Sequence, residues 1–173
     1  SRMEKGVDLL GQHDMVRTAF QYMNLAMLMQ QLHYNLPLNR WEDDGNGDIK
    51  LTNTEPLPVV TNKDTWGENK GRYGKWRPFQ LAFVLMNLRS MYDRDCNERE
   101  IVDLIWFPTG GGKTEAYLGL SAYTIFIRRL LNKDDKGTAI FMRYTLRLLT
   151  AQQYERASAM ICACDLIRKE HED

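Results

Sequence analysis

Residues 107–114 read Phe107-Pro108-Thr109-Gly110-Gly111-Gly112-Lys113-Thr114. The residues on either side indicate which structure this stretch forms. An apolar run of strand length, residues 101–107, leads into it, and a helical pattern over residues 114–131 follows. Glycines let successive backbone N–H groups approach phosphate oxygens closely, and the start of the helix adds its positive end. The stretch therefore predicts a phosphate-binding loop between a strand and a helix.

The Lys-Thr pair at the end of this loop predicts the ligand. In such loops the lysine, here Lys113, reaches the β- and γ-phosphates, and the hydroxyl of Thr114 completes the coordination shell of Mg²⁺. We therefore expect Thr109, Gly110, Gly111, Gly112, Lys113 and Thr114 to bind ATP with Mg²⁺. The strict pattern has glycine where this sequence has Phe107. A glycine-rich turn that binds nothing is the alternative, which the strand-loop-helix context disfavours.

The sequence pattern on both sides of the loop predicts an α/β fold for residues 77–173. A helix follows Pro78, which suits a first helical turn, and a second strand is predicted over residues 138–142. A long helix is predicted from about residue 148 to 171. Helix, strand, helix, strand, helix indicates a parallel sheet with crossover helices. Residues 1–76 form a separate segment, with a helix over residues 14–34 and an irregular loop rich in glycine and proline over residues 39–75.

Two segments that flank the loop indicate which class of phosphate-loop protein the chain resembles. Upstream stands Trp76-Arg77-Pro78-Phe79-Gln80, and downstream stands the run from Arg143 to Gln153, RYTLRLLTAQQ. The first resembles the glutamine motif of superfamily 2 helicases, which implies that Arg77 and Gln80 contact the nucleotide, with the Gln80 amide reading adenine. The second resembles motif Ia of those enzymes. This implies that Arg147, Thr150 and Gln152 grip a nucleic-acid backbone.

Together the three segments resemble the first RecA-like lobe of a superfamily 2 helicase. The run from Arg77 to about Arg168 is similar to the DrmA-type, DUF1998-bearing helicases of the DISARM anti-phage defence system. The resemblance implies an ATP-dependent DNA helicase or translocase in the cytoplasm, with Lys113 and Thr114 in catalytic roles and other defence subunits as partners. It covers rather more than half of the chain and carries no residues from the first 76.

The remainder of the sequence sets limits on this interpretation. Only 60 residues follow Lys113, and none of them forms an apolar strand that ends in Asp-Glu, which a helicase needs to hold Mg²⁺ and orient water. The second lobe with its arginine finger is missing as well. We therefore expect this chain to form an incomplete lobe, which binds ATP and does not hydrolyse it alone.

Composition excludes some classes and leaves others open. The chain has 173 residues, with 23 Lys+Arg against 23 Asp+Glu, so nucleic acid must be held by a local patch. No apolar run reaches the length of a membrane span. Three cysteines without a CxxC pair favour a reduced cytosolic protein. Two alternatives remain open: a P-loop ATPase or kinase that does not act on nucleic acid, and a non-catalytic module that binds a partner protein.

Overall fold

Five helices make up most of the chain. The computed structural model describes residues 1–34, 40–52, 75–108, 110–143 and 147–171. The helices are α1 (Arg2–Gln12), α2 (Asp14–Tyr34), α3 (Pro78–Tyr92), α4 (Lys113–Leu131) and α5 (Arg147–His171), and a short 3-10 helix spans Asn97–Glu100. The predicted helices after Asp14, Pro78, Lys113 and Arg147 are therefore confirmed.

The ends of the helices follow from local side chains. The Ser1 hydroxyl accepts from the N–H of Glu4, and the Glu4 carboxylate returns to the backbone N–H of Ser1, so a capping box opens α1. At the other end of the fold, Arg128 and Arg129 occupy the last turn of α4, where positive charge is favourable. The Arg128 guanidinium also binds Asp135 in the turn that follows.

One hydrophobic core joins helices from both ends of the chain. It contains Val16, Met23 and Met27 from α2, Leu88 from α3, and Tyr123 from α4, all nearly inaccessible to solvent. Met160 and Ile167 add the inner face of α5. Of the methionines of α2, Met23 and Met27 pack in the core and Met29 packs against it, whereas Met15 is 43% exposed.

The predicted parallel sheet is wrong. Residues 101–107 and 138–142, the two predicted strands, form no regular secondary structure, and in the described part of the chain neither pairs with another strand. Val102, Leu104 and Trp106 are 94%, 81% and 88% exposed, and Phe141 is exposed too. An apolar run of this length forms a strand only when a neighbouring strand takes up its backbone hydrogen bonds, and the described residues supply none. The described part of the chain is therefore mostly helical, and the predicted α/β fold with the parallel sheet of a RecA-like lobe over residues 77–173 is wrong.

The sheet that does exist lies in the segment predicted to be an irregular loop. Strand β1 (Arg40–Asp43) pairs antiparallel with β2 (Ile49–Thr52). The turn between them contains Gly45 and Gly47, both with positive φ. Asp-Gly and Asn-Gly steps are strong hairpin signals, which the absence of apolar alternation around them obscured.

No helix in the described ranges has the length and apolar character needed to cross a membrane.

Candidate functional site

The glycine loop is folded around two left-handed glycines. Gly110 has φ 78° and Gly112 has φ 86°, conformations that other residues rarely adopt. Between them, the N–H of Gly111 donates to the carbonyl of Pro108 over 3.1 Å. Helix α4 begins at Lys113, immediately after Gly112, and no side chain caps its first turn. The N-cap Gly112 has no side chain to accept from the first backbone N–H groups of α4, and N–H groups at a helix start are the donors that bind anions.

The Lys113 ammonium folds back over this loop. Its Nζ donates to the carbonyl oxygens of Phe107 at 2.5 Å and Pro108 at 3.0 Å. Those two bonds hold a positive charge beside the uncapped N-terminus of α4. Thr114 lies in the same first turn and is partly buried. Thr109, the remaining predicted loop residue, lies outside the described residues.

Arg77 and Gln80 hold the loop against the start of α3. The Arg77 Nη1 donates to the carbonyl of Gly111, and the Gln80 Nε2 donates to the carbonyl of Gly112, each over 2.7 Å. The Gln80 Oε1 accepts the backbone N–H of Arg77, also over 2.7 Å. Gln80 is only 3% exposed. Both residues predicted to contact the nucleotide are thus beside the loop, and here they position its backbone.

Phe107, which stands where the strict phosphate-loop pattern has glycine, also ties the loop to α3. Its ring stacks on the ring of Phe79, with centroids 3.9 Å apart and an interplanar angle of 18°. Aromatic stacking of this kind adds about 0.5–1.5 kcal/mol beyond the burial of the rings. The departure from the pattern therefore has a structural role at the entrance to the loop.

A cavity of about 940 Å³ opens beside the loop. Its volume is near the upper end of the range for small-molecule sites. It lies between α2, the residues that lead into α3, the glycine loop and α5. The lining residues are Asn24, Met27, Leu28, Gln30, Gln31, Lys75, Trp76, Arg77, Gln80, Gly110, Gly112, Glu115 and Arg156.

Cationic side chains outnumber the acidic ones around this cavity. Lys75, Arg77 and Arg156 line it, and Glu115 is the only acidic residue among the described lining residues. The Glu115 carboxylate forms an ion pair with the Arg156 guanidinium, which reaches across from α5. Because that pair neutralises the one carboxylate among the described lining residues, the cavity favours an anionic ligand.

The opposite wall of the cavity is built from amides of α2 and from Trp76. Both polar atoms of the Asn24 amide are hydrogen-bonded. Its Oδ1 accepts from the Trp76 Nε1 at 2.7 Å, and its Nδ2 donates to the Phe20 carbonyl. Trp76 packs closely against α4, because a Cβ placed on Gly119 would come within 2.6 Å of the indole ring. Gln30 is 2% exposed, and its Oε1 has no hydrogen-bond partner in the part of the chain that the structure describes. Leaving such an atom unpaired costs about 1–3 kcal/mol.

The predicted nucleic-acid residues lie at the start of α5. Arg147 is the first residue of that helix, but the side chains of Arg147 and Thr150 lie outside the described part of the structure. Gln152 is described and exposed. Their assignment to a nucleic-acid backbone stays a prediction.

Sequence reasoning missed two residues of this site, Gln30 and Arg156. Both lie in the interior of long helices, on the helix faces that line the cavity beside the glycine loop. A single polar residue within a helical pattern carries no spacing signal. Only the packing of α2 and α5 beside the loop brings these two side chains to the cavity.

Comparison with known proteins gives one strong similarity. The chain is 38% identical to the DISARM protein DrmA of Bacillus paralicheniformis over 177 aligned residues, which cover 98% of this chain and 14% of that protein. The chain therefore spans only a small part of the length of this relative. No protein-family model matches the chain, and no solved structure matches it. The identity over nearly the whole chain supports a relationship to DISARM proteins.

Proposed function

We propose that this chain binds ATP with Mg²⁺, with the phosphates over the glycine loop and the nucleoside in the adjoining cavity. The observation that carries the proposal is the loop itself: two left-handed glycines lead directly into the uncapped N-terminus of α4, with the Lys113 ammonium beside it. Backbone N–H groups and a lysine are the donors that phosphate loops use.

The side chains present fit this ligand. The carbonyls of Phe107 and Pro108 that now accept from Lys113 are neutral, so phosphate oxygens are stronger acceptors for the same ammonium. Thr114 lies in the first turn of α4, where its hydroxyl can complete the shell of an Mg²⁺ ion held mainly by phosphate oxygens and water. The ion supplies charge neutralisation to the phosphates. Arg156 keeps the Glu115 carboxylate from repelling them.

Titration calorimetry with ATP, with and without Mg²⁺, tests this proposal. We expect the wild-type chain to bind ATP and Lys113→Ala to lose at least about tenfold in affinity, because a charge-assisted contact to phosphate is worth about 1.5–3 kcal/mol. Thr114→Ala should lose mainly the dependence on Mg²⁺. Lys136→Ala removes an exposed lysine in the turn after α4 and serves as the matched control. Equal affinities for Lys113→Ala and Lys136→Ala would refute the proposed loop function.

The wider role we propose is that of an ATP-dependent helicase or translocase on DNA in anti-phage defence, acting with other defence subunits. The similarity to the DISARM protein DrmA supports the defence role. The resemblance of the segment around Arg147, Thr150 and Gln152 to motif Ia supports the action on DNA. Hydrolysis then belongs to the longer protein, with Lys113 and Thr114 in catalytic roles, and we expect no turnover above background from residues 1–173 alone.

DNA binding by the full-length protein at several salt concentrations tests this role. If Arg147 holds a phosphate, Arg147→Ala should weaken binding about equally for all sequences and reduce the salt slope by about one. Binding of ATP without DNA should be preserved. A protein that binds ATP and shows no affinity for DNA would instead be a P-loop ATPase or kinase of another class. A protein that binds neither would be a partner-binding module.

A further inference from the structure

Gln30 on α2 has an unused hydrogen-bonding group at the cavity. The residue is 2% exposed and lines the cavity, and its buried Oε1 has no hydrogen-bond partner among the described residues. Buried amides are normally paired, so an unpaired one in a cavity wall points to a ligand group that pairs with it. The terminal torsion of a glutamine is broad, so rotation about it can bring the Gln30 amide oxygen to the cavity surface.

The other buried amide of the cavity wall is already occupied by the protein. The Gln80 Nε2 donates to the Gly112 carbonyl and its Oε1 accepts from the Arg77 N–H. Asn24 is likewise bonded at both ends, to Trp76 and to the Phe20 carbonyl. Among the buried amides that the structure describes at this cavity, Gln30 is the one whose carbonyl oxygen stays available.

We propose that Gln30 reads the base of the bound nucleotide and selects adenine. This rests on the nucleotide binding proposed above and names the residue that determines base specificity there. One edge of a glutamine amide offers an acceptor beside a donor. Adenine offers the complement, because its exocyclic amino group donates and the adjacent ring nitrogen accepts. Guanine presents two acceptors on the corresponding edge, so the Gln30 oxygen would stay unpaired against it. In this arrangement Gln80 shapes the loop, and Gln30 recognises the base.

The test separates recognition of the base from recognition of the phosphates. Affinities of the chain for ATP, GTP and inorganic tripolyphosphate are measured by competition against a fluorescent ATP analogue. For the wild type we expect ATP to bind more tightly than GTP. Gln30→Leu, which keeps the side-chain size, should weaken ATP about tenfold, bring the ATP/GTP ratio close to one and leave tripolyphosphate unchanged. Gln21→Leu makes the same exchange at an exposed position of α2 and should change nothing.

The outcomes distinguish this inference from the function on which it rests. If the wild type binds neither ATP nor tripolyphosphate, the proposed nucleotide site fails. If it binds both and Gln30→Leu keeps the wild-type ATP/GTP ratio, the site stands and the role of Gln30 is overturned. Thermal melting verifies that the variant folds. If Gln30→Leu does not fold, Gln30→Asn is the alternative variant, because its side chain is one methylene shorter and moves the amide away from the base. It should also lower the ratio of the ATP and GTP affinities. An unchanged ratio would again overturn the role of Gln30.

Discussion

Arg2 and Asp103 form a bidentate ion pair that joins α1 to the segment before the glycine loop. The Arg2 Nη1 donates to Oδ1 at 2.6 Å, and its Nη2 donates to Oδ2 at 2.8 Å. These hydrogen bonds, with the positive charge of Arg2, lower the pKa of Asp103 below its ordinary value. Both side chains are about four-fifths buried. The pair therefore fixes where the segment that feeds the loop begins.

Asp103→Asn should lower the free energy of unfolding by about 1–3 kcal/mol near neutral pH, because it removes a charged partner from Arg2. A lowered pKa means that the stabilisation is fully present above the unfolded pKa of about 4 and is lost as the pH falls through the folded pKa. Urea unfolding at pH 7 and near pH 3 measures this. We expect the difference between wild type and variant to shrink at the lower pH. Asp134→Asn, at an exposed position, is the control, and a pH-independent difference would contradict the assignment.

A residue of the site could be predicted from the sequence only where its role depends on residues next to it in the chain. The start of α4 at Lys113 follows from a contiguous motif and is found there. The strand predicted before the loop from the same context is not formed by the described residues, so that part of the prediction is wrong. Gln80 was predicted to read adenine, but which groups its amide bonds in the structure depends on how α3 packs against residues 111 and 112. The contribution of Gln30 depends on α2, about 80 residues earlier in the chain. No local pattern contains that information.

At the scale of elements, Gly6 allows α1 to lie directly on α3. A Cβ at Gly6 would stand 2.0 Å from the backbone carbonyl oxygen of Leu85. Gly6→Ala should therefore push the helices apart and destabilise the fold by about 1–3 kcal/mol. Gly11, in the same helix, has open space around its Cβ position. Gly11→Ala should leave stability unchanged or raise it by about 0.5–1 kcal/mol. Urea unfolding of both variants measures this, and shifts in the same direction would contradict the close approach.

Four of the five described helices were predicted from the sequence, whereas α1 and the strands of the hairpin were not. The helix starts at Pro78 and Lys113 depend on residues within one turn of the start, and both are found where the sequence places them. A strand depends on a partner elsewhere in the chain. Residues 101–107 have the composition of a buried strand, but no described segment pairs with them. The hairpin of β1 and β2 went unpredicted because its signal lies in the turn and not in its strands.

For the whole molecule, the segment over residues 101–107 forms an exposed apolar edge. Val102, Leu104 and Trp106 are all strongly exposed in this segment, which forms neither helix nor strand. An apolar segment with free backbone groups favours pairing with a strand of another chain, which satisfies those groups and buries the side chains. We expect the isolated chain to self-associate as its concentration rises, and the double variant Val102→Lys, Leu104→Lys to remain monomeric. Sedimentation velocity over a concentration series measures this.

The control for this edge is Val7→Lys. It introduces the same charge at an exposed apolar position of α1, where the backbone is already hydrogen-bonded within the helix, and should leave the self-association of the chain unchanged. A wild-type chain that stays monomeric throughout the series would contradict the prediction. Equal effects of Val7→Lys and of the double variant on self-association would also contradict the prediction.

The same edge affects how stability is measured on this chain. Association is governed by mass action, so a folded form that associates is favoured over a monomeric unfolded form as the total protein concentration rises. The apparent melting temperature of the wild type should then depend on concentration, and that of the edge variant should not. Substitutions in the core are therefore best compared in the edge-variant background, or at a single dilute concentration, where unfolding involves one molecule.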